Sequence, residues 1–239
     1  MTRLLSLFAL FLVIASPALA ETIQFDADDG TTITAELTRT TPDAPFLVLF
    51  HMAGASRGEY VEIAPRLAAL GYNTLAVDQR SGGAFGGVDN RTRAQFGANP
   101  SYADAIPDLI AAAAKARDLG AATLGVMGSS YSAALVLKLA GDDPDFTDAV
   151  IAFSPGEYFG KADYVRSSAA RISQPVFITG GRQERSQWQP LFDSIPGDAK
   201  TGFQPQGAGR HGATALLTGD GPEYWAALET FLQRHLPVK

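Results

Sequence analysis

The segment "VMGSSYSAAL", residues 126–135, contains a serine whose surroundings suit a nucleophile. Ser130 has Gly128 and Ser132 two residues away on either side, and a sharp turn from a strand into a helix needs such small neighbours. The apolar residues before this turn predict a strand, and those after it recur with helical spacing. This context favours a nucleophilic serine over an ordinary serine-rich turn.

A histidine that could activate this serine is also present. A hydroxyl is a poor nucleophile until a base takes its proton, and the chain has only three histidines. His51 ends a predicted strand and His235 lies near the end of the last predicted helix, whereas His211 follows the last predicted strand in a glycine-rich loop. We predict that His211 is the base; the alternative is an ordinary surface histidine.

A histidine base needs a carboxylate that orients the ring and stabilises the imidazolium. Glu184 follows the strand-like segment "PVFITGG", whereas Asp193 and Asp198 lie further from a predicted strand end. We predict that Glu184 is this acid, and the alternative is an exposed loop carboxylate. The order Ser130, Glu184, His211 is the nucleophile–acid–base order of the α/β-hydrolase fold.

Strands and helices that could position these residues alternate along the chain. Residues around Asp29 and Gly30 alternate in the manner of a β-hairpin, and later apolar runs predict strands buried on both faces. The strands after the hairpin are predicted at PFLVLFHMAG, YNTLAVD, ATLGVMG, DAVIAFSP, QPVFITGG and, more weakly, TGFQPQGAG; the helices are predicted at YVEIAPRLAALG, YADAIPDLIAAAAKARDLG, SSYSAALVLKLAG and PEYWAALETFLQRHL. This alternation predicts an α/β fold with a mostly parallel central sheet, helices on both faces, and a site at the carboxyl ends of the strands.

Five segments together carry a resemblance to a known superfamily. They are LFHMAGASRGEY, LAVDQRSGG, GVMGSSYSAA, PVFITGGRQE and GRHG. They resemble the α/β-hydrolases, most closely the dienelactone-hydrolase-like and serine esterase branch, over nearly the whole chain after residue 20. The resemblance implies the α/β-hydrolase fold. Dienelactone hydrolases use a cysteine nucleophile, and this chain has no cysteine, so that particular activity is not implied.

The resemblance also implies the groups that would stabilise a tetrahedral oxyanion. "HMAGASRGEY" is similar to the oxyanion loop of monoacylglycerol lipases, which implies that the backbone N–H of Ala53, or next that of Met52, is one donor. The second donor would be the amide of Tyr131, the residue after the nucleophile. In this motif the histidine, here His51, holds the loop.

The implied activity is that of a serine hydrolase that cleaves a small-molecule carboxylic ester through an acyl-enzyme, without a metal or organic cofactor. A short connection of residues 156–175 between two predicted strands implies a minimal cap and an accessible site. The alternatives are a peptidase or acyltransferase that uses the same residues, or a binding module that has lost hydrolysis.

Two further side chains could contact a substrate. Arg80 follows a predicted strand and could hold a substrate carboxylate; the alternative is that it is solvated or pairs with the chain's own acids. Trp188 is a candidate pocket aromatic, with ordinary core packing as the alternative.

Composition limits the remaining possibilities. The chain has 239 residues, 46% of them hydrophobic, and no repeat or linker divides it, so residues 21–239 are predicted to form a single domain. A formal net charge of −6 without a basic cluster argues against nucleic acid or an anionic membrane surface as partner. The lack of cysteine excludes disulfides and lipid attachment at a cysteine.

Residues 1–20 have the pattern of a secretory signal peptide. Arg3 precedes an apolar run at residues 4–14, and Ala-Leu-Ala at 18–20 matches a cleavage site. The run is too short to span a bilayer comfortably, and no second such segment follows. We predict a cleaved signal and a soluble protein exported to the periplasm or the medium, with no membrane association after cleavage; a retained anchor is the alternative.

Overall fold

An eight-stranded sheet runs through the centre of the computed structural model, which describes residues 20–238. Its strands in chain order are β1 (Ala20–Asp26), β2 (Thr32–Thr38), β3 (Phe46–Phe50), β4 (Asn73–Val77), β5 (Leu124–Ser129), β6 (Ala149–Phe153), β7 (Val176–Thr179) and β8 (Lys200–Phe203). They lie in the order β1-β2-β4-β3-β5-β6-β7-β8. β2 pairs antiparallel with β1 and β4, and every other pairing is parallel, as the sequence predicts.

The helices of the described residues are α1 (Ile63–Ala69), α2 (Ile106–Asp118), α3 (Tyr131–Asp142), α4 (Arg166–Ala169), α5 (Arg185–Ser194) and α6 (Gly221–His235). The four helices predicted from periodicity correspond to α1, α2, α3 and α6. The sequence analysis missed α4 and α5. α4 has only four residues, too few for a periodic pattern, and α5 contains Pro190, a residue type that usually interrupts helices.

Both faces of the sheet are covered, which explains why its central strands are continuous apolar runs. In β3, Phe46, Val48 and Phe50 pack into one core cluster with side chains of α2, α3 and α5. The alternate residues Leu47 and Leu49 pack into a second cluster with side chains of α1 and α6. The period of two along a strand therefore divides the core into two layers around the sheet.

The connections at the carboxyl ends of the parallel strands form the edge of the sheet at which the site is predicted. Residues 154–175 join β6 to β7 and contain only the short α4, so the cap is small, as the sequence predicts. Residues 78–105 join β4 to α2 as a long loop with short 3₁₀ turns.

The hairpin predicted around Asp29 and Gly30 is confirmed, because β1 and β2 pair antiparallel. Between them, Gly30 has φ 81°, a conformation that favours glycine.

The predicted export signal, residues 1–20, lies outside the described residues except for Ala20, the first residue of β1. Within residues 20–238, no helix combines the length and the apolar character that crossing a membrane would require.

Arg80 ties the loop after β4 to two other parts of the fold. Its guanidinium donates hydrogen bonds to Asp108 on α2 at 2.6–2.8 Å and to Asp29 in the hairpin at 2.5–3.1 Å, and it lies over the Phe96 ring. Only 6% of Arg80 is exposed. The hypothesis that Arg80 holds a substrate carboxylate is therefore wrong, because its donors already face carboxylates of the chain itself.

Replacing this arginine should destabilise the fold. In Arg80→Ala the fully buried carboxylate of Asp108 loses its partner, and we expect the free energy of unfolding to fall by about 3–5 kcal/mol. Urea unfolding at equilibrium measures this change. The matched control is Arg166→Ala, whose surface pair with Asp163 should contribute less than about 1 kcal/mol. Equal effects of the two substitutions would contradict a structural role for Arg80.

Candidate active site

Ser130 lies on a sharp turn between β5 and α3. Its backbone has φ 60° and ψ −121°, a strained conformation for a residue with a side chain. Gly128 permits this turn, because a Cβ at that position would lie 2.5 Å from Ala133 N in the first turn of α3. The Ser130 N–H donates to Phe153 O at 2.8 Å, which fixes the turn against the end of β6.

The structure brings the three residues of the predicted triad together. Ser130 Oγ lies 2.8 Å from His211 Nε2, and the Nδ1 of the same ring is hydrogen-bonded to Glu184 Oε1. With Nδ1–H donating to the carboxylate, Nε2 is free to accept the hydroxyl proton. This arrangement can activate a serine for attack on a carbonyl carbon.

The Glu184 carboxylate is held by one donor from the loop after β6 and by one from its own loop after β7. Its Oε2 accepts hydrogen bonds from Ser154 Oγ at 2.6 Å and from Gly181 N at 2.7 Å. Burial acts to raise the pKa of Glu184, but the hydrogen bonds from His211, Ser154 and Gly181 outweigh it and lower that pKa. Glu184 is therefore ionised at neutral pH.

The ionised Glu184 in turn favours a charged imidazole. Its hydrogen bond to His211 raises the pKa of the ring above the ordinary value of 6.5, against the opposing effect of burial. A base with a raised pKa accepts a proton more readily, and the same carboxylate stabilises the imidazolium that forms.

Ser154, which was not predicted from the sequence, connects Glu184 to the loop that carries His211. Ser154 follows β6 with φ 56°, and its Oγ accepts the Gly212 N–H at 2.9 Å while it donates to Glu184. The loop that carries His211 is thus fixed by the same hydroxyl that fixes the acid. The only sequence signal was its place directly after an apolar strand, in "AFSP".

The backbone donors of the predicted oxyanion hole are only partly as expected. Met52 N–H donates to Glu59 Oε2 at 2.6 Å, so the prediction that Met52 could hold an oxyanion is wrong. Among the hydrogen bonds of residues 20–238, none uses the N–H of Ala53. Tyr131 is the first residue of α3, so its N–H has no acceptor within the helix. Ala53 and Tyr131 are therefore the candidate donors.

His51 holds the loop that carries Ala53. Its Nδ1–H donates to Met52 O at 2.8 Å, and its Nε2 accepts the Gln79 N–H at 3.0 Å. The ring is fully buried, and burial lowers its pKa to about 4, so it stays neutral. Ser132, at a position where glycine is usual in the motif, donates from Oγ to His51 O at 2.6 Å and so ties α3 to the end of β3.

Trp188 does not line the site. Only 3% of the residue is exposed, and its ring packs edge-on against Phe192 within the core. The prediction of a substrate contact for Trp188 is therefore wrong, because a short helix that the sequence analysis missed turns this side chain inward.

An open cleft lined by aromatic and small residues adjoins the candidate site through Tyr102 and Tyr158, which contact Tyr131 and Ser154. The Tyr102 ring stacks on the ring of Tyr131 with centroids 4.6 Å apart, and Tyr158 donates from its hydroxyl to Ser154 O at 2.8 Å. The cleft has a volume of about 320 Å³ and is lined by Pro100, Ser101, Tyr102, Ala103, Tyr158 and Phe159. None of these six side chains carries a charge at neutral pH.

Within residues 20–238, no group of acidic, histidine or cysteine side chains could hold a metal ion.

Solved structures with similar folds include three hydrolases. An esterase of Pyrococcus furiosus is 19% identical, with a TM-score of 0.71, and the match covers 92% of this chain and 93% of that chain. A dienelactone hydrolase from Anabaena variabilis is 13% identical, with a TM-score of 0.70 and coverage of 92% and 99%. An acetyl xylan esterase from Paenibacillus sp. R4 is 18% identical, with a TM-score of 0.68 and coverage of 92% and 90%. At these identities the likeness shows a shared fold.

No curated protein sequence matches the chain. A family model described as serine aminopeptidase, S33, matches residues 41–179, which is more than half of the chain. The matched region includes the loop after β3, the turn at Ser130 and the strands β3 to β7. The chain therefore belongs to the serine aminopeptidase S33 family of α/β-hydrolases.

Proposed function

We propose that this protein is an exported esterase in which Ser130 is the nucleophile, His211 the general base and Glu184 the orienting acid. The observation that carries the proposal is the 2.8 Å contact between Ser130 Oγ and His211 Nε2, with Glu184 on the other ring nitrogen. The strained strand-to-helix turn supports it, because it presents the hydroxyl at the open edge of the sheet.

The proposed reaction has two acyl-transfer steps. Ser130 Oγ attacks the ester carbonyl carbon while His211 Nε2 takes the hydroxyl proton, and the N–H groups of Ala53 and Tyr131 stabilise the oxyanion. The C–O bond to the alcohol breaks as His211 returns the proton to the leaving oxygen. A water molecule, deprotonated by His211, then attacks the acyl-enzyme and releases the carboxylic acid and free Ser130.

The cleft that adjoins the candidate site suits an uncharged apolar group of the ester. Tyr102, Tyr158 and Phe159 offer aromatic surface, and no charged side chain belongs to the lining. Arg80, the cation proposed from the sequence, is held by Asp29 and Asp108. Neutral esters with an apolar acyl or alcohol group therefore fit the site better than anionic esters.

The family description supports a second candidate, an aminopeptidase. Such an enzyme must bind the ammonium group of a peptide close to the nucleophile, and a carboxylate is the usual partner for an ammonium group. The six residues that line the cleft include no carboxylate, and Glu157 beside it is taken up by the N–H groups of Val165 and Arg166. We therefore favour the ester.

A fluorophosphonate probe tests whether the serine is activated. We expect one adduct, located by peptide mass mapping at Ser130, and a labelling rate at least about 10³-fold lower in His211→Ala because the hydroxyl then lacks its base. The control is His235→Ala, which removes a histidine on α6 outside the site and should label like wild type. An unlabelled folded protein would instead favour the binding-module alternative.

A substrate pair separates esterase from aminopeptidase. We expect 4-nitrophenyl butyrate to be hydrolysed by wild type and not, above background, by Ser130→Ala. We expect alanine 4-nitroanilide, whose free ammonium finds no carboxylate in the cleft, to be hydrolysed equally slowly by both proteins. Release of 4-nitrophenol and 4-nitroaniline is followed by absorbance. Anilide turnover that depends on Ser130 would establish the aminopeptidase.

Export can be tested by the mass of the protein recovered from the periplasm or medium. If residues 1–20 form a cleaved signal, the intact mass should correspond to a chain that begins at Glu21, close to the start of β1. Ala18→Arg, which disrupts the cleavage site, should accumulate as the longer precursor. A full-length mass for the wild-type protein would contradict cleavage.

A further inference from the structure

A second carboxylate, that of Glu59, lies beneath the candidate site. Glu59 belongs to the 3₁₀ turn Arg57–Tyr60, which follows the loop after β3, and only 1% of the residue is exposed. In the part of the chain that the structure describes, no lysine or arginine forms an ion pair with it. A buried carboxylate without a cationic partner is costly, so its contacts need an explanation.

The contacts of Glu59 join three separate segments of the chain. Oε2 accepts the Met52 N–H at 2.6 Å, and Oε1 accepts the hydroxyl of Ser129 at 2.7 Å. Ser129 Oγ in turn accepts the Ala213 N–H at 2.9 Å. One carboxylate therefore connects, directly or through one hydroxyl, the loop after β3, the end of β5 and the loop after β8.

Each of these contacts lies next to a group that the proposed reaction uses. Met52 precedes Ala53, Ser129 precedes Ser130, and Ala213 lies two residues after His211. The junction is also tightly packed, because a Cβ on Gly212 would lie 2.5 Å from Ser129 Oγ and 3.4 Å from Glu59 Oε1. A small shift of the carboxylate would move the oxyanion donor, the nucleophile and the base relative to one another.

We propose that Glu59 is a positioning residue for ester hydrolysis: it holds the loops of Ala53, Ser130 and His211 in register, and its charge supplements that of Glu184 in stabilising the His211 imidazolium. The kinetic part of this inference rests on the proposed function. In the sequence, "RGEY" contains no motif that distinguishes Glu59 from a surface acid.

The charge of Glu59 also acts on the imidazole of His211. Glu184 and Glu59 are the carboxylates that face His211, and each raises the pKa of the ring. Burial is the largest influence on the Glu59 carboxyl and leaves its pKa raised, although the hydrogen bonds from Ser129 and Met52 and the nearby His211 favour its charged form. The other titratable groups that face Glu59 are Tyr60 and Tyr131, and burial raises the pKa of both phenols, so both stay neutral. Removing the Glu59 charge should therefore lower the pKa of His211.

Glu59→Gln tests the inference by removing the charge while keeping the size of the side chain. On 4-nitrophenyl butyrate we expect kcat to fall about 10- to 100-fold with KM changed less than about threefold, because misplaced groups mainly raise the barrier. The ascending limb of kcat/KM against pH should move to lower pH. The matched control is Glu229→Gln, which makes the same chemical change on α6, where the carboxylate pairs with Arg66, and should behave as wild type.

A second variant and a second measurement separate position from charge. Glu59→Asp keeps the charge but is too short to reach both donors, so kcat should fall while the pH limb stays near that of wild type. With only three histidines in the chain, NMR titration of the imidazole protons can follow His211 directly, with His235 as internal reference. Thermal unfolding of each variant verifies that it is folded at the assay temperature.

Two results distinguish this inference from the proposed function. If wild type hydrolyses esters but Glu59→Gln keeps both its kcat and its His211 midpoint, the inference is overturned and the proposed function stands. If wild type hydrolyses no ester, the proposed function fails, and the His211 midpoint decides the role of Glu59: a midpoint lower in Glu59→Gln supports the coupling, and an unchanged midpoint overturns it.

Discussion

The candidate site depends on one close approach, between the end of β5 and the first turn of α3. The absence of a side chain at Gly128 lets the α3 backbone come so near that a Cβ there would lie 2.5 Å from Ala133 N. At this sharp turn Ser130 takes φ 60°, and its hydroxyl is hydrogen-bonded to His211 in the loop after β8. The rest of the polar structure is arranged around that hydroxyl.

Three serines next to strand ends convert this turn into a connected network. Each hydroxyl donates one hydrogen bond and accepts another. Ser129 connects Glu59 to Ala213 N, Ser132 connects the Gln79 amide to His51 O, and Ser154 connects Glu184 to Gly212 N. Because all three are buried, a hydroxyl left without one partner would cost free energy, and this favours a single arrangement of the loops.

Local pattern was sufficient to predict a mostly parallel sheet with the site at the carboxyl ends of its strands. It was also sufficient to predict the residues that meet at Ser130, because each of them follows a recognisable strand. The errors concern contacts that the local sequence pattern does not encode. Arg80 was taken for a substrate contact, yet its acceptors, Asp29 and Asp108, lie in the hairpin and on α2. The Met52 N–H donates to a glutamate in the following turn, and the burial of Trp188 follows from α5, which contains a proline.

The edge position of β1 has a consequence for local stability. β1 pairs only with β2, through a hairpin, and most of its side chains are exposed or half-buried. Such an edge strand opens at a smaller free-energy cost than the central strands, which are buried on both faces. The groups around Ser130 follow β3, β5, β6, β7 and β8, and none follows β1, so fraying of the amino-terminal edge leaves their contacts intact. Local opening of β1 can therefore occur without loss of the contacts around Ser130.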